Sequence, residues 1–424
     1  MKVLVLALGS DGDINPMVEI ARAIKSRGHD VGFVANEYFA DKVAAHGLDF
    51  IEMGDRASFE AVTADPELWQ PRRAFATVWK NLYKYLPGSV DALEKLVVPG
   101  KTVMVGTTLA IAGRILQEKA ASAKLQAVPL STVHLSPCCI ISRFEPPTGP
   151  DFEIPSACPQ IFKDIYFNLV DRFLLDGNCR ADLNTYRRSL GLAPVKQVFS
   201  RWLHSPDQVL CAFPQWFAAP QADWPSPLRF VGFPLYNRSG VESLSAATEN
   251  FIAAGEAPLV FTAGSAMAHS HSYFALALEA VKKLNRRAIF VSRYKDCLPP
   301  LPDFVHHAQY EPFDILFSRA AFVSHHGGIG TSAQALNAAV PQLVAPFAHD
   351  QFDNAFRLKK LGVAQSVKAD AFSESRAQDF TEKCRILLSA PYQEKAKEAA
   401  RLMQDQSDAA ARAALYVEEL ERLL

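Results

Sequence analysis

The most informative part of the sequence is Val323-Ser324-His325-His326-Gly327-Gly328-Ile329-Gly330-Thr331. An apolar run from Ala321 to Val323 leads into this glycine-rich turn, and an alanine-rich stretch from Ser332 to Ala339 follows it. The pattern predicts a strand, a loop and a helix in succession. Because the loop precedes a helix, its unpaired backbone N–H groups and the helix dipole favour an anion such as a diphosphate.

A second block follows further along the chain. The apolar run Gln342 to Ala345 predicts a strand, and Pro346-Phe347-Ala348-His349-Asp350-Gln351 then opens another helix. A Gly-Gly-x-Gly turn alone is equally typical of an ordinary strand–helix connection. The combination of the histidine–glycine loop with the later Asp-Gln pair is much more specific.

These two blocks resemble the nucleotide-sugar glycosyltransferases of family 1, which have the GT-B fold. The resemblance implies an α/β protein with two Rossmann-like doubly wound parallel-sheet domains that face each other across a cleft. It also implies roles for individual residues. The donor diphosphate is assigned to His326, Gly328, Gly330 and Thr331, and the donor sugar to Asp350 and Gln351.

Composition excludes several other classes. The chain has 424 residues, enough for two or three domains, with 49% hydrophobic and 21% charged residues, as in ordinary globular enzymes. A net charge of −1 gives no electrostatic basis for binding nucleic acid. No apolar run approaches the ~20 residues of a membrane-spanning helix. The seven cysteines lack metal-binding spacing, so we expect reduced thiols and a cytoplasmic protein.

The chain alternates predicted strands and helices in two halves, which indicates doubly wound sheets with right-handed crossovers. In the first half the predicted strands are Val3–Leu8, Asp30–Ala35, Phe50–Met53, Thr102–Val105 and Ala127–Leu130, with helices at Pro16–Arg27 and about Leu109–Ala121. The second half begins with strands at Leu259–Thr262 and Ala288–Val291 around a helix at Tyr273–Leu284. The proline-rich regions 136–180 and 195–235 are predicted to be irregular.

Four segments follow from this pattern and from the resemblance. We expect an acceptor-binding domain over 1–235, a linker over 236–257 and a nucleotide-sugar-binding domain over 258–390. Residues 391–424 are expected to form a C-terminal helix that returns to the first domain.

The turn Gly12-Asp13-Ile14-Asn15-Pro16 follows the first predicted strand. The family carries a histidine or aspartate base there, so the resemblance makes Asp13 the catalytic base. Its neighbour Asp11, also assigned to the acceptor side, is expected to raise the pKa of Asp13 by like-charge repulsion, and burial should raise it further. The alternative is that Asp13 caps the first helix, although Asn15 is the better-placed cap. Asp11-Gly12-Asp13 also mimics a metal-binding Asp-x-Asp motif, but no metal is expected, because the helix N terminus and His326 can neutralise the diphosphate.

Three more residues are assigned to the donor by the resemblance. Ser265, in a Gly-Ser turn, is a second phosphate contact or part of a plain turn. Tyr310, in Tyr310-Glu311-Pro312, is placed at the nucleoside base. Gln334 occupies a position where UDP-sugar enzymes often carry a glutamate that binds both ribose hydroxyls, and a glutamine there favours deoxythymidine. The alternative for Gln334 is a surface helix residue.

The acceptor side is predicted to be apolar. Residues 59–86 and the proline-rich region supply many aromatic side chains, which favours a lipidic acceptor. The alternative is that most of these residues belong to the core. Our acceptor-side candidates are Trp69, Trp79 and Phe167.

Further blocks are similar to the bacterial rhamnosyltransferases of rhamnolipid biosynthesis, whose products are biosurfactant glycolipids. They include Asp65-Pro66-Glu67-Leu68-Trp69, Trp202-Leu203-His204-Ser205-Pro206 and Phe213-Pro214-Gln215-Trp216-Phe217. The similarity implies inverting transfer of L-rhamnose from dTDP-L-rhamnose to an amphiphilic 3-(3-hydroxyalkanoyloxy)alkanoate. An acyl-lipid synthase partner and a peripheral contact with the inner membrane face stay open. The main alternative is a UDP-glucose-dependent enzyme acting on a lipid, sterol, carotenoid or polyketide hydroxyl. A sugar-nucleotide epimerase of the same fold is a different class.

Overall fold

The structure, a computed structural model, describes residues 1–123, 126–150, 153–155, 157–238, 242–265, 267–405 and 408–424. The chain forms two compact units, Met1–Pro234 with Asp408–Leu424, and Leu235–Ser407. The expected linker, 236–257, contains a helix at Ala246–Ala253. Its residues 239–241 lie outside the described residues.

The first unit is built on seven parallel strands. Their bounds are β1 Lys2–Leu6, β2 Asp30–Ala35, β3 Asp49–Glu52, β4 Thr102–Thr107, β5 Leu130–His134, β6 Gln208–Cys211 and β7 Leu228–Phe230. The strand order is β3-β2-β1-β4-β5-β6-β7, and Val3 lies opposite both Val31 and Val103. Since β1 is covered on both faces, its side chains form a continuous apolar run. The order reverses direction between β1 and β4, which is where doubly wound sheets place their ligands.

Helices cover this sheet. Their bounds are α1 Asp11–Ser26, α2 Ala40–Ala45, α3 Arg56–Ala64, α4 Ala74–Leu96, α5 Ile111–Ser122, α6 Gln160–Leu169 and α7 Asp176–Ser189. Helix α6 continues through π-helical turns at Val170–Leu175 into α7. The prediction that 136–180 is irregular is therefore wrong beyond Pro159, where the last proline of that region precedes α6.

The second unit has six parallel strands. These are β8 Leu259–Thr262, β9 Ala288–Val291, β10 Val305–Ala308, β11 Phe322–His325, β12 Gln342–Val344 and β13 Ala364–Ser366, in the order β10-β9-β8-β11-β12-β13. The helices are α8 Ala246–Ala253, α9 His271–Leu284, α10 Phe313–Leu316, α11 Ile329–Asn337, α12 Gln351–Lys360, α13 Glu374–Leu387 and α14 Ala390–Gln404. The order reverses between β8 and β11, so the histidine–glycine loop that follows β11 lies at the switch point.

The end of the chain belongs to the first unit. Helix α15, Ala409–Glu418, packs on α1. The Glu418 carboxylate accepts hydrogen bonds from Arg27 Nε at 2.6 Å and Nη2 at 2.7 Å, and His29 Nε2 lies 2.8 Å away. Among the described residues, no helix is both long and apolar enough to cross a membrane.

Candidate active site

The glycine loop, His326 to Thr331, connects β11 to α11. Gly328 is the N-cap residue of α11, and none of the described side chains caps this helix. Thr331 lies in the first helical turn and is partly exposed. The first turn therefore offers uncapped backbone N–H groups at the positive end of the helix dipole, as a diphosphate site requires.

His325 holds this loop in place. The side chain is fully buried, its Nδ1 accepts a hydrogen bond from Gly327 N at 3.0 Å, and its Nε2 lies 2.8 Å from Gln342 Oε1. These two partners require a neutral ring with the proton on Nε2. Burial lowers the pKa of His325 to about 4, in agreement with that form. His325 is therefore a structural residue that supports the glycine loop.

Gly327 was not among the predicted residues, yet its position requires glycine. Its φ is +95°, and a Cβ atom there would lie 2.8 Å from Val344 Cγ1 and 3.0 Å from Gln351 O. In contrast, a Cβ at Gly330 would meet no atom of the described protein within 4 Å. Gly327 therefore lets the glycine loop pack closely against β12 and the start of α12, and Gly330 leaves open space at the N terminus of α11.

The His326 ring is enclosed by two glycines. A Cβ at Gly264 would lie 2.7 Å from His326 Cε1, and a Cβ at Gly328 would lie 2.4 Å from Nε2. Its Nδ1 is buried and has no hydrogen-bond partner among the described residues. Burial, with His325 and His349 nearby, lowers the pKa of His326 to about 3. His326 is thus neutral at pH 7, with a buried ring nitrogen that none of the described residues satisfies.

The turn with the predicted sugar ligands Asp350 and Gln351 is organised around Asn354, a residue that the sequence did not single out. Asn354 is fully buried, and its Nδ2 donates to Gly327 O at 2.9 Å and to Asp350 Oδ2 at 2.7 Å. It follows Asp350 by four positions, a spacing that places both on one helix face and could have signalled the contact. Asn354 therefore fixes the predicted sugar ligand Asp350 to the glycine loop.

The side-chain oxygen of Gln351 forms hydrogen bonds within the turn that precedes α12. Its Oε1 accepts hydrogen bonds from Phe347 N at 2.7 Å and Ala348 N at 3.1 Å. Between them His349 adopts a positive φ of 58°, which is uncommon for a residue with a side chain. The turn that presents Asp350 and Gln351 is thus held by side-chain bonds in a conformation of low intrinsic preference.

Gln334 is buried, so its interpretation as a surface residue is wrong. Its Nε2 donates to Tyr236 O at 3.0 Å and Asn237 Oδ1 at 3.2 Å, whereas Oε1 is buried without a partner among the described residues.

Tyr310 is 61% exposed, and its hydroxyl donates to Glu242 Oε2 at 3.0 Å. Ser265 lies three residues beyond the end of β8, after Gly264, whose φ is 96°. All donor-side candidates belong to the second unit.

Asp13 lies at the start of α1 in the first unit. Ser10 is the N-cap, and Ser10 N donates to Asp13 Oδ2 at 2.8 Å in a reciprocal capping box. The prediction that Asn15 caps the helix is wrong, because α1 begins at Asp11 and Asn15 Oδ1 instead accepts from Lys42 Nζ at 2.9 Å. Asp11 forms an ion pair with Lys42, so the like charge expected beside Asp13 is paired.

Gly9 sets the position of this carboxylate. Its φ is +132°, and a Cβ there would lie only 2.1 Å from Asp13 Oδ2. The carboxylate of Asp13 therefore packs directly on the backbone where β1 leads into α1, and only glycine leaves room for it.

Two acceptor-side candidates lie in the core instead. Trp79 is buried, and its Nε1 donates to Asp182 Oδ2 at 3.1 Å. Phe167 is also buried, with the Arg143 guanidinium 5.2 Å from its ring centre. Trp69 is partly exposed. The number of aromatic residues in the sequence therefore overestimates the apolar surface that is available to an acceptor, because large aromatic side chains also fill cores.

Comparisons with known proteins agree with this architecture. Residues 275–417 match the model of the erythromycin biosynthesis protein CIII-like C-terminal domain. The chain is 26% identical over 379 residues to O-mycaminosyltylonolide 6-deoxyallosyltransferase of Streptomyces fradiae, covering 86% of this chain and 85% of the relative. It is 27% identical over 386 residues to vancomycin aglycone glucosyltransferase of Amycolatopsis orientalis, with coverages of 86% and 85%.

Solved structures show the same fold over the full length. The glycosyltransferase of kitacinnamycin superposes with a TM-score of 0.73 at 19% identity, covering 100% of this chain and 99% of that one. Spinosyn rhamnosyltransferase SpnG, complexed with thymidine diphosphate, gives 0.67 at 20% identity, with coverages of 99% and 100%. The two parallel α/β units therefore have the GT-B fold, as predicted. The chain is therefore a glycosyltransferase.

Proposed function

We propose that this enzyme transfers L-rhamnose from dTDP-L-rhamnose to the hydroxyl of a 3-(3-hydroxyalkanoyloxy)alkanoate, with inversion and without a metal ion, and so makes a mono-rhamnolipid. The sequence blocks around Trp69, Trp202 and Trp216 support this choice of subgroup. The observation that carries the donor half of the proposal is the hydrogen bonding of Gln334.

The Gln334 amide has one acceptor to offer a nucleoside. Its Nε2 is engaged by Tyr236 O and Asn237 Oδ1, and Oε1 is left buried without a partner among the described residues. A buried acceptor without a donor costs free energy, so a ligand hydroxyl that fills this role gains affinity. Deoxyribose presents the single 3′-hydroxyl, whereas ribose presents two hydroxyls that a glutamate could bind together. This favours a thymidine nucleotide over a uridine nucleotide.

The names of relatives support a deoxysugar donor. One relative is named a 6-deoxyallosyltransferase. Another is named dTDP-epi-vancosaminyltransferase and is 26% identical over 379 residues. L-Rhamnose is itself a 6-deoxyhexose, so this donor class fits the proposed one.

The proposed chemistry is a single displacement. The acceptor hydroxyl oxygen attacks the anomeric carbon of rhamnose while the bond from that carbon to the diphosphate oxygen breaks, and Asp13 takes the hydroxyl proton. The uncapped N terminus of α11 and the neutral His326 stabilise the charge that develops on the departing diphosphate. Asp350 and Gln351 orient the sugar through its hydroxyls.

The second candidate is glucosyl transfer from UDP-glucose. It is favoured by the similarity to vancomycin aglycone glucosyltransferase. The two candidates differ in the nucleotide that Gln334 would bind, so one donor experiment tests both.

The test is a donor panel with dTDP-L-rhamnose, dTDP-glucose, UDP-glucose and UDP-GlcNAc, a hydroxyalkanoyloxyalkanoate acceptor and detection by mass spectrometry. We expect product mainly from dTDP-L-rhamnose. We also expect Gln334→Glu to move the dTDP-to-UDP selectivity ratio towards UDP, because the carboxylate can accept from both ribose hydroxyls. Product mainly from UDP-glucose would overturn the donor assignment. The absence of product with this acceptor, but transfer to a sterol or polyketide, would overturn the acceptor assignment.

A further inference from the structure

One helical face of the first unit is apolar and exposed. Helix α6 and the π-helical turns that follow it, Gln160–Leu169 and Val170–Leu175, form one continuous helix. Six large apolar side chains on it are between 45% and 65% exposed. This apolar stripe consists of Ile161, Phe162, Ile165, Leu169, Phe173 and Leu174.

The opposite face of the same helix is anchored in the unit. Phe167 is buried, and the buried Asp171 accepts a hydrogen bond from Ser200 Oγ at 2.6 Å. The buried Asp176, at the start of α7, accepts from Gln197 N and Val198 N, both at 2.9 Å. These inward contacts fix the rotation of the helix. The apolar stripe therefore faces away from the core of the unit and stays exposed.

A contiguous apolar surface of this kind marks an interaction site in proteins. The stripe contains isoleucine, leucine and phenylalanine but neither tryptophan nor tyrosine. Protein–protein hot spots are enriched in tryptophan, tyrosine and arginine and depleted in leucine. The composition of the stripe therefore fits hydrocarbon chains better than it fits a protein partner.

The charges of this helix point to the kind of lipid. Arg172 is exposed beside the stripe, with its guanidinium 5.4 Å from the Phe173 ring centre. The acidic Asp171 instead faces inward to Ser200, and Asp164 is partly buried and accepts from Gln160 Nε2 at 3.0 Å. The exposed charge next to the stripe is thus positive, which complements anionic headgroups.

We propose that the apolar stripe inserts into the headgroup–acyl boundary of an anionic phospholipid bilayer and holds the first unit on its surface. From Ile161 to Leu174 the helix extends roughly 20 Å at the usual rise of an α-helix. An amphipathic helix of this type lies in the plane of the interface rather than across the bilayer. This proposal does not rest on the identity of the sugar or the acceptor.

The experiment is co-sedimentation of the full-length protein with vesicles, in the absence of substrates. Vesicles of phosphatidylcholine alone are compared with vesicles that contain phosphatidylglycerol. We expect binding to the anionic vesicles and a loss of at least about tenfold in the partition coefficient for the double variant Ile165→Ser/Phe173→Ser, because both side chains leave water on insertion. Arg172→Gln should weaken binding to anionic vesicles and leave binding to neutral ones unchanged.

The matched control is Leu415→Ser, an equally exposed leucine on α15 of the same unit, which should bind vesicles like the wild type. Phe162→Ser provides a second test if the double variant does not fold.

Wild-type protein that stays in the supernatant with all vesicles would overturn the proposal. So would stripe variants that sediment like the wild type. A stripe-dependent dimer in sedimentation velocity, without vesicle binding, would assign the stripe to a second copy of the chain instead. A protein that transfers no sugar but binds vesicles through the stripe would leave this proposal intact.

Discussion

Among single residues, Asp13 takes part in helix capping and is also our candidate for the catalytic base, two roles that the sequence presented as alternatives. Its carboxylate completes the capping box with Ser10, and it is also the residue that the family resemblance assigns as base. A capping bond does not prevent proton transfer, because a carboxylate has acceptor capacity beyond one hydrogen bond. The bond to Ser10 N instead orients the group, and the separate roles can be measured with separate variants.

We predict that Asp13→Asn lowers kcat by roughly 10²–10⁴-fold, the usual contribution of a positioned base, and leaves the Kd for dTDP unchanged. Steady-state kinetics and calorimetry measure the two quantities. The control is Ser10→Ala, which removes the N-cap side chain and keeps the carboxylate. It should cost about 1 kcal/mol of stability with little change in kcat. Normal turnover in Asp13→Asn would exclude Asp13 as the base.

Asn354 acts through its neighbours, since it bonds to the glycine loop and to Asp350 at the same time. We predict that Asn354→Ala raises KM for the donor and Kd for dTDP by about tenfold, the effect of roughly one to two lost hydrogen bonds. Asn354→Asp should be no better, because an aspartate cannot donate to Gly327 O or Asp350. Lys359→Ala, an exposed change on the same helix, is the control. Donor binding that is equal in Asn354→Ala and Lys359→Ala would remove Asn354 as a positioning residue.

Among the secondary-structure elements, the sequence pattern predicted some strands with their observed bounds and displaced others. Leu259–Thr262 and Ala288–Val291 were predicted with their observed bounds. The strand predicted at Ala127–Leu130 is instead β5, Leu130–His134, which contains the buried polar residues Ser131, Thr132 and His134. Thr132 Oγ1 accepts from Ser205 N at 3.1 Å, a contact between segments far apart in sequence. Such partners cannot be read from local periodicity.

The same reason limits the prediction of the site. The resemblance identified the glycine loop and the Asp-Gln pair, since these are local motifs. The requirement for glycine at position 9 and at position 327 depends instead on what a Cβ would meet in the folded chain. The capping box of Ser10 and Asp13 is the exception, because its spacing is visible in the sequence. The prediction of Asn15 as the cap did not use that spacing.

Each unit also contains two buried neutral histidines, His134 and His204 in the first unit and His325 and His326 in the second. Burial lowers the pKa of His204 and His325 to about 4, that of His326 to about 3 and that of His134 well below its usual range. In the unfolded chain these groups have a pKa near 6.5. As the pH falls below that value, the unfolded state takes up protons that the folded state does not, so stability decreases.

We therefore predict that each unit loses about 3 kcal/mol of unfolding free energy between pH 7.5 and 5.5, from two histidines each. Urea unfolding at constant ionic strength measures the loss. His204→Asn should reduce the pH dependence of the first unit and leave that of the second unchanged. A stability that is constant over this range would contradict the buried neutral state of these rings.

At the scale of the whole molecule, the first unit is completed only by the end of the chain. Gln208 Nε2 donates to Tyr416 O at 2.8 Å and Arg412 Nε to Val231 O at 3.0 Å, in addition to the bonds between Arg27 and Glu418. The inner face of α15 is apolar and buried, with Ala413, Ala414 and Val417 fully inaccessible. The segment 408–424 is thus part of the first unit, although the whole second unit precedes it in the chain.

We predict that deletion of residues 408–424 destabilises the first unit selectively, because the apolar surface of α1 that α15 covers becomes exposed to water. Hydrogen exchange should show lost protection in α1 and unchanged protection in α9, which belongs to the second unit. The milder variant Glu418→Gln affects only the partly exposed contacts of this side chain with Arg27 and His29, and it should leave the protection of α1 nearly unchanged. Equal protection of α1 in the truncated and the intact chain would mean that the packing of α15 contributes little to the stability of the first unit. Equal loss of protection in α1 and α9 would mean that the deletion unfolds the chain as a whole.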